Sequence, residues 1–271
     1  MIDRKLKYVY GPVESWRLGK SLGIDPLSDS KKICNMDCIY CQLGRSSDLV
    51  NERKDFVSTE TIVSEVAEFF EQYEGTPYAE HIDHLTFSGR GEPTLALNLG
   101  DMIRGVRKFR KEKVAVITNA TFLNQKSLCE DLSSVESMVI KLDGFDEKSF
   151  HAIDLPAEGT NFHKILEGIK RFRKIYKGHM AVQIMFLDSN KQFAAQFAEC
   201  IKPIGADEIQ LNTPLRPSGV KPLVENDMAG IKAYFEGLPA VHVYEREKRS
   251  TIPFDVKETV KRHGNYRVSQ K

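Results

Sequence analysis

Apolar residues along this chain recur in two alternating rhythms, one with helical spacing and one with the spacing of strands. Ile62, Val63, Val66, Phe69, Phe70 and Tyr73 fall on one helical stripe, with Ser58 and Thr59 ahead of it as caps. Leu99, Met102, Ile103, Val106 and Phe109 form a second stripe, and Asn124 opens a shorter helix carrying Leu128 and Leu132. Phe162, Ile165, Leu166, Ile169, Phe172 and Ile175 make a long helix. Phe193, Phe197 and Ile201 mark a fifth, and Met228, Ile231, Tyr234, Phe235 and Leu238 a sixth. Between them lie short strand-like runs at 21–25, 84–88, 114–118, 137–142, 180–186 and 208–212. Strand followed by helix, six times over, predicts a parallel sheet with right-handed crossovers. Six units are too few for a closed eight-fold barrel. The expected fold is therefore α/β, a partial (β/α)6 TIM-like barrel over 21–245, with an N-terminal extension over 1–20. A basic helical tail follows over 246–271, with Gly264 as its stop. Arg267-Val268-Ser269 then reads as the start of a truncated extension, or as a plain tail.

Alternation within the strands sorts residues between the two faces of the sheet. In 137–143, Met138, Ile140 and Leu142 share one face while Lys141 and Asp143 share the other. Gln183 lies opposite Val182 and Ile184, and Gln210 and Asn212 alternate with Ile209 and Leu211. With the apolar faces toward the helices, the lumen is lined by Thr86, Ser88, Lys141, Asp143, Gln183, Gln210 and Asn212. A barrel used only as scaffold fills its interior with branched apolar side chains. A lumen this polar must hold a polar ligand or water, because unpaired buried polar groups are costly.

Composition narrows the function classes. The 271 residues are 41% hydrophobic with a formal net charge of +1, so the whole molecule has no strong bias toward nucleic acid or anionic membrane. No apolar run approaches the roughly 18 residues of a membrane span. Met1-Ile2-Asp3-Arg4-Lys5 leads into polar sequence, so the expectation is a cytoplasmic protein with reduced thiols and no membrane partner. Two local basic stretches stand out: Arg104, Arg107, Lys108, Arg110, Lys111 and Lys113, and Lys164, Lys170, Arg171, Arg173, Lys174 and Lys177. Either they contact phosphates or they are the solvated faces of amphipathic helices, with Phe109 and Phe172 read as core.

The five cysteines are unevenly placed. Cys34, Cys38 and Cys41 fall within eight residues, whereas Cys129 and Cys200 sit in amphipathic helices as small buried residues. A structural zinc site uses four protein ligands, and only one pair here has the spacing of a zinc knuckle. Three thiolates on one loop suit an iron–sulfur cubane that keeps one iron without a protein ligand.

Cys34-Asn35-Met36-Asp37-Cys38-Ile39-Tyr40-Cys41, with an aromatic residue before the last cysteine, resembles the signature of the radical S-adenosylmethionine (SAM) superfamily. Gly91-Glu92-Pro93-Thr94, after the second strand, resembles that family's Gly-Gly-Glu-Pro motif, with Ser88-Gly89-Arg90 ahead of Gly91. Ile117-Thr118-Asn119-Ala120-Thr121 resembles its ribose-contacting turn. The resemblance implies one 4Fe–4S cluster on Cys34, Cys38 and Cys41, and SAM bound at the open iron. Reductive cleavage then gives methionine and a 5′-deoxyadenosyl radical that takes hydrogen from a substrate. It further implies Tyr40 beside the adenine, Ser88, Gly89 and Gly91 in close approach to SAM, and Glu92 accepting from the methionine ammonium. Thr118 and Asn119 face the ribose and carboxylate, while Asp143, Gln183 and Arg216 face cofactor or substrate. Lys141 and Asp143 are candidate catalytic groups, or simply an ion pair.

The run from Tyr10 to Asp25, with 87–95, 165–178 and 210–217, resembles a group of proteins related to the wyosine-type tRNA-modifying synthases. Those synthases carry a second cysteine set ahead of the first. No cysteine precedes Cys34 here, and Cys129 and Cys200 alone cannot build an auxiliary cluster. Three readings stand: a radical SAM enzyme acting on tRNA or a nucleotide, a radical SAM activase or modifier of a partner protein or peptide, and a non-catalytic iron–sulfur or zinc protein. For the enzymes, the implied electron donor is a low-potential flavodoxin or ferredoxin.

Overall fold

Residues 5–28, 30–46, 48–246 and 251–263 are described by the structure, a computed structural model. Gly264 and Arg267–Ser269 lie outside the described residues, and the tail is described only in part. All six expected strands form: β2 (Gly19–Ile24), β3 (His84–Phe87), β4 (Lys113–Thr118), β5 (Ser137–Lys141), β6 (His179–Met185) and β7 (Glu208–Asn212). They are consecutive neighbours and pair in parallel. β8 (Ala240–His242) extends the sheet beyond β7 in parallel, and β1 (Val9–Ser15) lies antiparallel against β2. The order β1 to β8 runs open along the sheet, the architecture of a partial barrel.

Helices α1 (Thr59–Gln72), α2 (Leu99–Arg107), α3 (Lys126–Leu132), α5 (Phe162–Ile175), α6 (Ala194–Ile201) and α7 (Glu225–Ala233) are the six that the periodicity predicts. Ser58 caps α1 by accepting from the Thr61 amide, as expected. Asn124 does not open α3; Gln125 holds that position. One helix is additional, α4 (Glu147–Asp154), started by a reciprocal Asp146–Ser149 capping box, while α8 (Val256–His263) falls within the stretch expected as a helical tail.

Strand alternation works as read. Leu85, Phe87, Met138, Ile140, Val182, Ile184, Ile209 and Leu211 belong to the core shared with the helices. On the inner face, Leu18, Ala115, Val139 and Ala181 close the base of the barrel with an apolar plug. Above it the lining turns polar: Ser21 Oγ and Thr86 Oγ1 are 2.7 Å apart, and Gln183 Nε2 donates to Gln210 Oε1 at 3.0 Å.

Both termini of the described chain belong to this architecture. The stretch 1–20, expected as an extension, supplies β1. The stretch from 251 packs α8 against it: Phe254 N donates to Gly11 O at 2.7 Å, and Gly11 N donates to Thr259 Oγ1 at 3.1 Å. Arg262 is fully buried there and pairs with Asp25 (Nε–Oδ2 3.1 Å) and Glu258 (Nη1–Oε2 3.0 Å). The Asp25 carboxylate also accepts from the amides of Leu27, Ser28 and Arg90. Burial pushes its pKa upward, and Arg262 opposes that. Removing one partner of a buried ion pair strands the other, so Arg262→Met is expected to destabilise the protein by about 3 kcal/mol. A urea unfolding curve checks this, and Asp25→Asn in the same chain should recover part of the loss.

Candidate active site at the mouth of the barrel

The carboxyl ends of the strands converge on the loop that carries the three thiols. β2 ends in Asp25 and feeds that loop. β3 ends in Ser88-Gly89-Arg90-Gly91-Glu92, β4 in Thr118-Asn119, and β5 in Lys141 followed by Asp143. The loop is clamped on two sides. Ile33 N donates to Arg90 O at 2.7 Å and Glu92 N to Ile33 O at 3.1 Å, while Asp37 N and Ile39 N donate to Asp154 O and Ile153 O at 3.0 and 2.9 Å. Gly91 makes the first clamp possible. It has φ +151°, and a β-carbon there would sit 1.6 Å from the Ile33 carbonyl oxygen. A β-carbon on Gly89 would meet the Asp25 carboxylate. Both glycines are thus required first by packing within the protein.

Cys34, Cys38 and Cys41 are all partly exposed on this loop. Among the described residues no three His, Cys, Asp or Glu side chains are grouped to hold a single metal ion. Three thiols spread along one loop suit the donor set of a polynuclear cluster. Burial, then the charge of Glu92, pushes Cys34 up to about 12. Burial, then Asp154, pushes Cys38 well above the usual thiol range, and Cys38 Sγ donates to Asp154 Oδ1 at 3.1 Å. Lys32 is the compensating cation: burial works against its charge, but Cys41, Asp37 and Cys34 outweigh it. Metal ligation replaces the thiol protons.

Glu92 is buried and almost saturated. Its Oε1 accepts from Thr94 N (3.1 Å), Thr94 Oγ1 (2.6 Å) and Thr118 Oγ1 (2.6 Å), and its Oε2 from Asn119 N (2.7 Å). One lone pair of Oε2 is left for a further donor. Asn119 Oδ1 is occupied by Thr121 N and Oγ1, which turns its Nδ2 toward Asn35 Oδ1 at 2.7 Å. That contact fixes the amide of Asn35, and its Nδ2 has no partner among the described residues although the residue is fully buried. A buried donor next to Cys34 calls for an acceptor. A cluster sulfide or a cofactor carboxylate satisfies it, so the residues present fit a 4Fe–4S cluster with SAM.

A second group lies toward the lumen. Tyr40 OH donates to Asp143 Oδ2, Lys141 Nζ is 3.1 Å from the same oxygen, and Met185 N donates to Asp143 Oδ1 at 2.5 Å. Burial, then the Asp143 charge, holds the Tyr40 phenol well above its usual range. Tyr40 is therefore a neutral donor. Ser88 Oγ is 2.8 Å from Tyr10 OH, and Arg216 Nη1 donates to Gln42 Oε1 at 3.3 Å, joining the loop after β7 to the thiol loop. Every expected site residue thus lies at the mouth or in the lumen. Asp25, Asn35 and Asp154 were missed, and only the position of Asp25 at a strand end could have signalled it.

Five of the twelve cations in the two basic stretches pair with neighbouring acids. Arg104 pairs with Asp101 and Asp131, Arg107 with Glu136, Arg110 with Glu112, Lys170 with Glu167 and Arg173 with Asp207. Phe172 is core, but Phe109 is 41% exposed because α2 ends before it. Among the described residues no helix is long and apolar enough to cross a membrane.

Comparison with known proteins agrees with this geometry. The family described as Radical SAM superfamily matches residues 31–192. A UPF0026 protein of Synechocystis sp. is 40% identical over 216 residues, covering 79% of this chain and 77% of that one. A probable GTP 3',8-cyclase of Saccharolobus islandicus is 26% identical over 223 residues, covering 78% and 65%. Among solved structures, a radical SAM methyltransferase from Sphaerobacter thermophilus superposes with a TM-score of 0.61 at 13% identity, over 82% of this chain and 65% of that one. Streptococcus suis SuiB bound to S-adenosylmethionine gives 0.56 at 15% identity, over 78% and 48%.

Proposed function

The chain belongs to the radical SAM superfamily, and from that membership we propose that it is an enzyme cleaving SAM reductively at a single 4Fe–4S cluster, with a nucleotide or a tRNA nucleotide as substrate. One observation carries the chemistry: three thiols on a loop clamped over the strand ends of a polar-lined partial barrel, beside a buried amide donor that lacks an acceptor. When bound, cluster and cofactor supply the electron and the 5′-deoxyadenosyl radical that removes a hydrogen atom from substrate.

The protein's residues hold and orient. Cys34, Cys38 and Cys41 would ligate the cluster and leave one iron without a protein ligand for the cofactor. Glu92 offers its remaining lone pair to the methionine ammonium, while Thr118 and Asn119 fix that carboxylate from behind. Asn35 Nδ2 donates toward the cluster or the cofactor carboxylate. Ser88, Gly89 and Gly91 form the adjoining wall, with Tyr40 beside the adenine, and Gln183 and Arg216 reach in from the far strands. Lys141 and Asp143, held together at 3.1 Å, are placed to keep or pass a proton at the lumen edge. The likeness to a probable GTP 3',8-cyclase supports a nucleotide substrate, and the motif resemblance of this sequence to wyosine-type synthases extends that proposal to one carried in tRNA. A low-potential flavodoxin or ferredoxin is the donor this chemistry needs.

Anaerobically reconstituted protein given SAM and dithionite is expected to release 5′-deoxyadenosine and methionine in equal amounts. Mass spectrometry reads both, and a nucleotide substrate should raise the rate. Protein that carries iron and sulfide yet releases neither product refutes the reading.

A further inference from the structure

In the barrel lumen several hydrogen-bond donors converge on one acceptor, and among the described residues one cation there lacks an acid. Glu208 Oε1 accepts from Gln210 Nε2 at 2.7 Å, and Gln210 Oε1 accepts from Gln183 Nε2 at 3.0 Å. This relay fixes both amides and presents Gln183 Oε1 to the chamber. Three donors converge on that one oxygen: Arg17 Nη1 at 3.1 Å, Lys141 Nζ at 3.4 Å and Asn212 Nδ2 at 3.5 Å. A carbonyl oxygen has two lone pairs, so they cannot all be well satisfied. Arg17 Nε is also buried and has no hydrogen-bond partner among the described residues.

The surrounding cations are treated differently. Lys141 has Asp143, Arg246 has Glu208, and Arg262 has Asp25 and Glu258. Arg17 meets no carboxylate among the described residues. The charged and titratable groups acting on it are Arg216 and Tyr10, and burial, reinforced by Arg216, lowers it to about 10. Water can accept from a stranded N–H, but it cannot neutralise a buried guanidinium. The missing partner is an anion with several acceptor oxygens.

We infer that the lumen binds a phosphate group of the substrate, with the Arg17 guanidinium as its principal ligand and Lys141 and Asn212 as further donors. The inference rests on reading the lumen as the substrate chamber of the SAM-cleaving enzyme. Phosphate is favoured over carboxylate because its terminal oxygens can engage the guanidinium fork while still accepting from the other donors. Arg17 enters from the β1–β2 turn at the base, whereas the thiol loop covers the opposite end of the strands.

The chain has one tryptophan, Trp16, next to Arg17, so its fluorescence reports locally. Titration of reconstituted protein with inorganic pyrophosphate should give a saturable change that potassium chloride at equal ionic strength does not give. Arg17→Met should weaken pyrophosphate binding roughly tenfold or more, and Arg17→Lys less, at unchanged melting temperature. Wild-type protein that releases 5′-deoxyadenosine but shows no pyrophosphate response overturns the inference and leaves the enzyme reading standing. A pyrophosphate response without SAM cleavage does the opposite. If saturating SAM abolishes the response and Arg17→Met weakens SAM binding equally, the anion is the cofactor carboxylate, and the inference again fails.

Discussion

Cys38→Ala protein, reconstituted beside the wild type, should retain little iron and sulfide, lose the visible absorbance of the cluster and release 5′-deoxyadenosine only at background. Changes to groups that merely support metal ligands cost about 10–100-fold in affinity or activity, so losing one of three ligands should exceed a hundredfold. The fold should be nearly untouched. The Cys38 thiol makes one hydrogen bond, to Asp154, and its loss costs no more than about 2 kcal/mol. Far-ultraviolet circular dichroism and melting therefore separate lost chemistry from lost structure. Cys129→Ala is the control, since that thiol is buried in α3 and bonds only to Leu123 O at 3.2 Å. A Cys38 variant that still forms 5′-deoxyadenosine would sink the assignment of the cluster to this loop.

Gly91→Ala should be the most damaging single methyl in the protein. The added carbon would lie 1.6 Å from backbone oxygen, where no side chain can swing aside, at φ +151°. Relief requires parting the Ile33–Gly91 bridge, with its two hydrogen bonds through Arg90 O and Ile33 O. Backbone strain and two lost bonds together predict about 3–5 kcal/mol, read as a lower urea midpoint and poorer iron loading. Gly75→Ala is the comparison: its φ is +69° and nothing lies within 4 Å of the added carbon, so only the roughly 1 kcal/mol left-handed penalty applies. Equal losses in the two variants would show that Gly91 is not a clamp.

Those contrasts indicate what local sequence can and cannot reveal. The six strands and their inner faces were legible because alternation is a local property, and Lys141, Gln183 and Gln210 lie on the inner face as read. The loop of three thiols was legible because Cys34, Cys38 and Cys41 fall within eight residues. β1 was hidden because Gly11-Pro12 interrupts its apolar run with the composition of a turn, and the strand carries an irregularity between Tyr10 and Val13. α4 offers only Phe150 and Ile153 as buried apolar positions, too few to show a period. The basic stretches looked electropositive because Asp131, Glu136 and Asp207, which cancel part of them, arrive from other elements. Asn35 and Arg17 matter for what they fail to meet, and no spacing rule reports a missing partner.

The bond between Arg262 and Asp25 spans 237 positions. Asp25 also receives the Arg90 amide and packs beneath Gly89, so the floor under the thiol loop is finished only when residue 262 has left the ribosome. Contacts of such long range form late in folding, because the intervening chain must be closed first. On the proposed reading, a nascent chain stalled before α8 would present its three cysteines on an unseated loop, open to oxidation, so a cluster would have to be delivered after α8 is made.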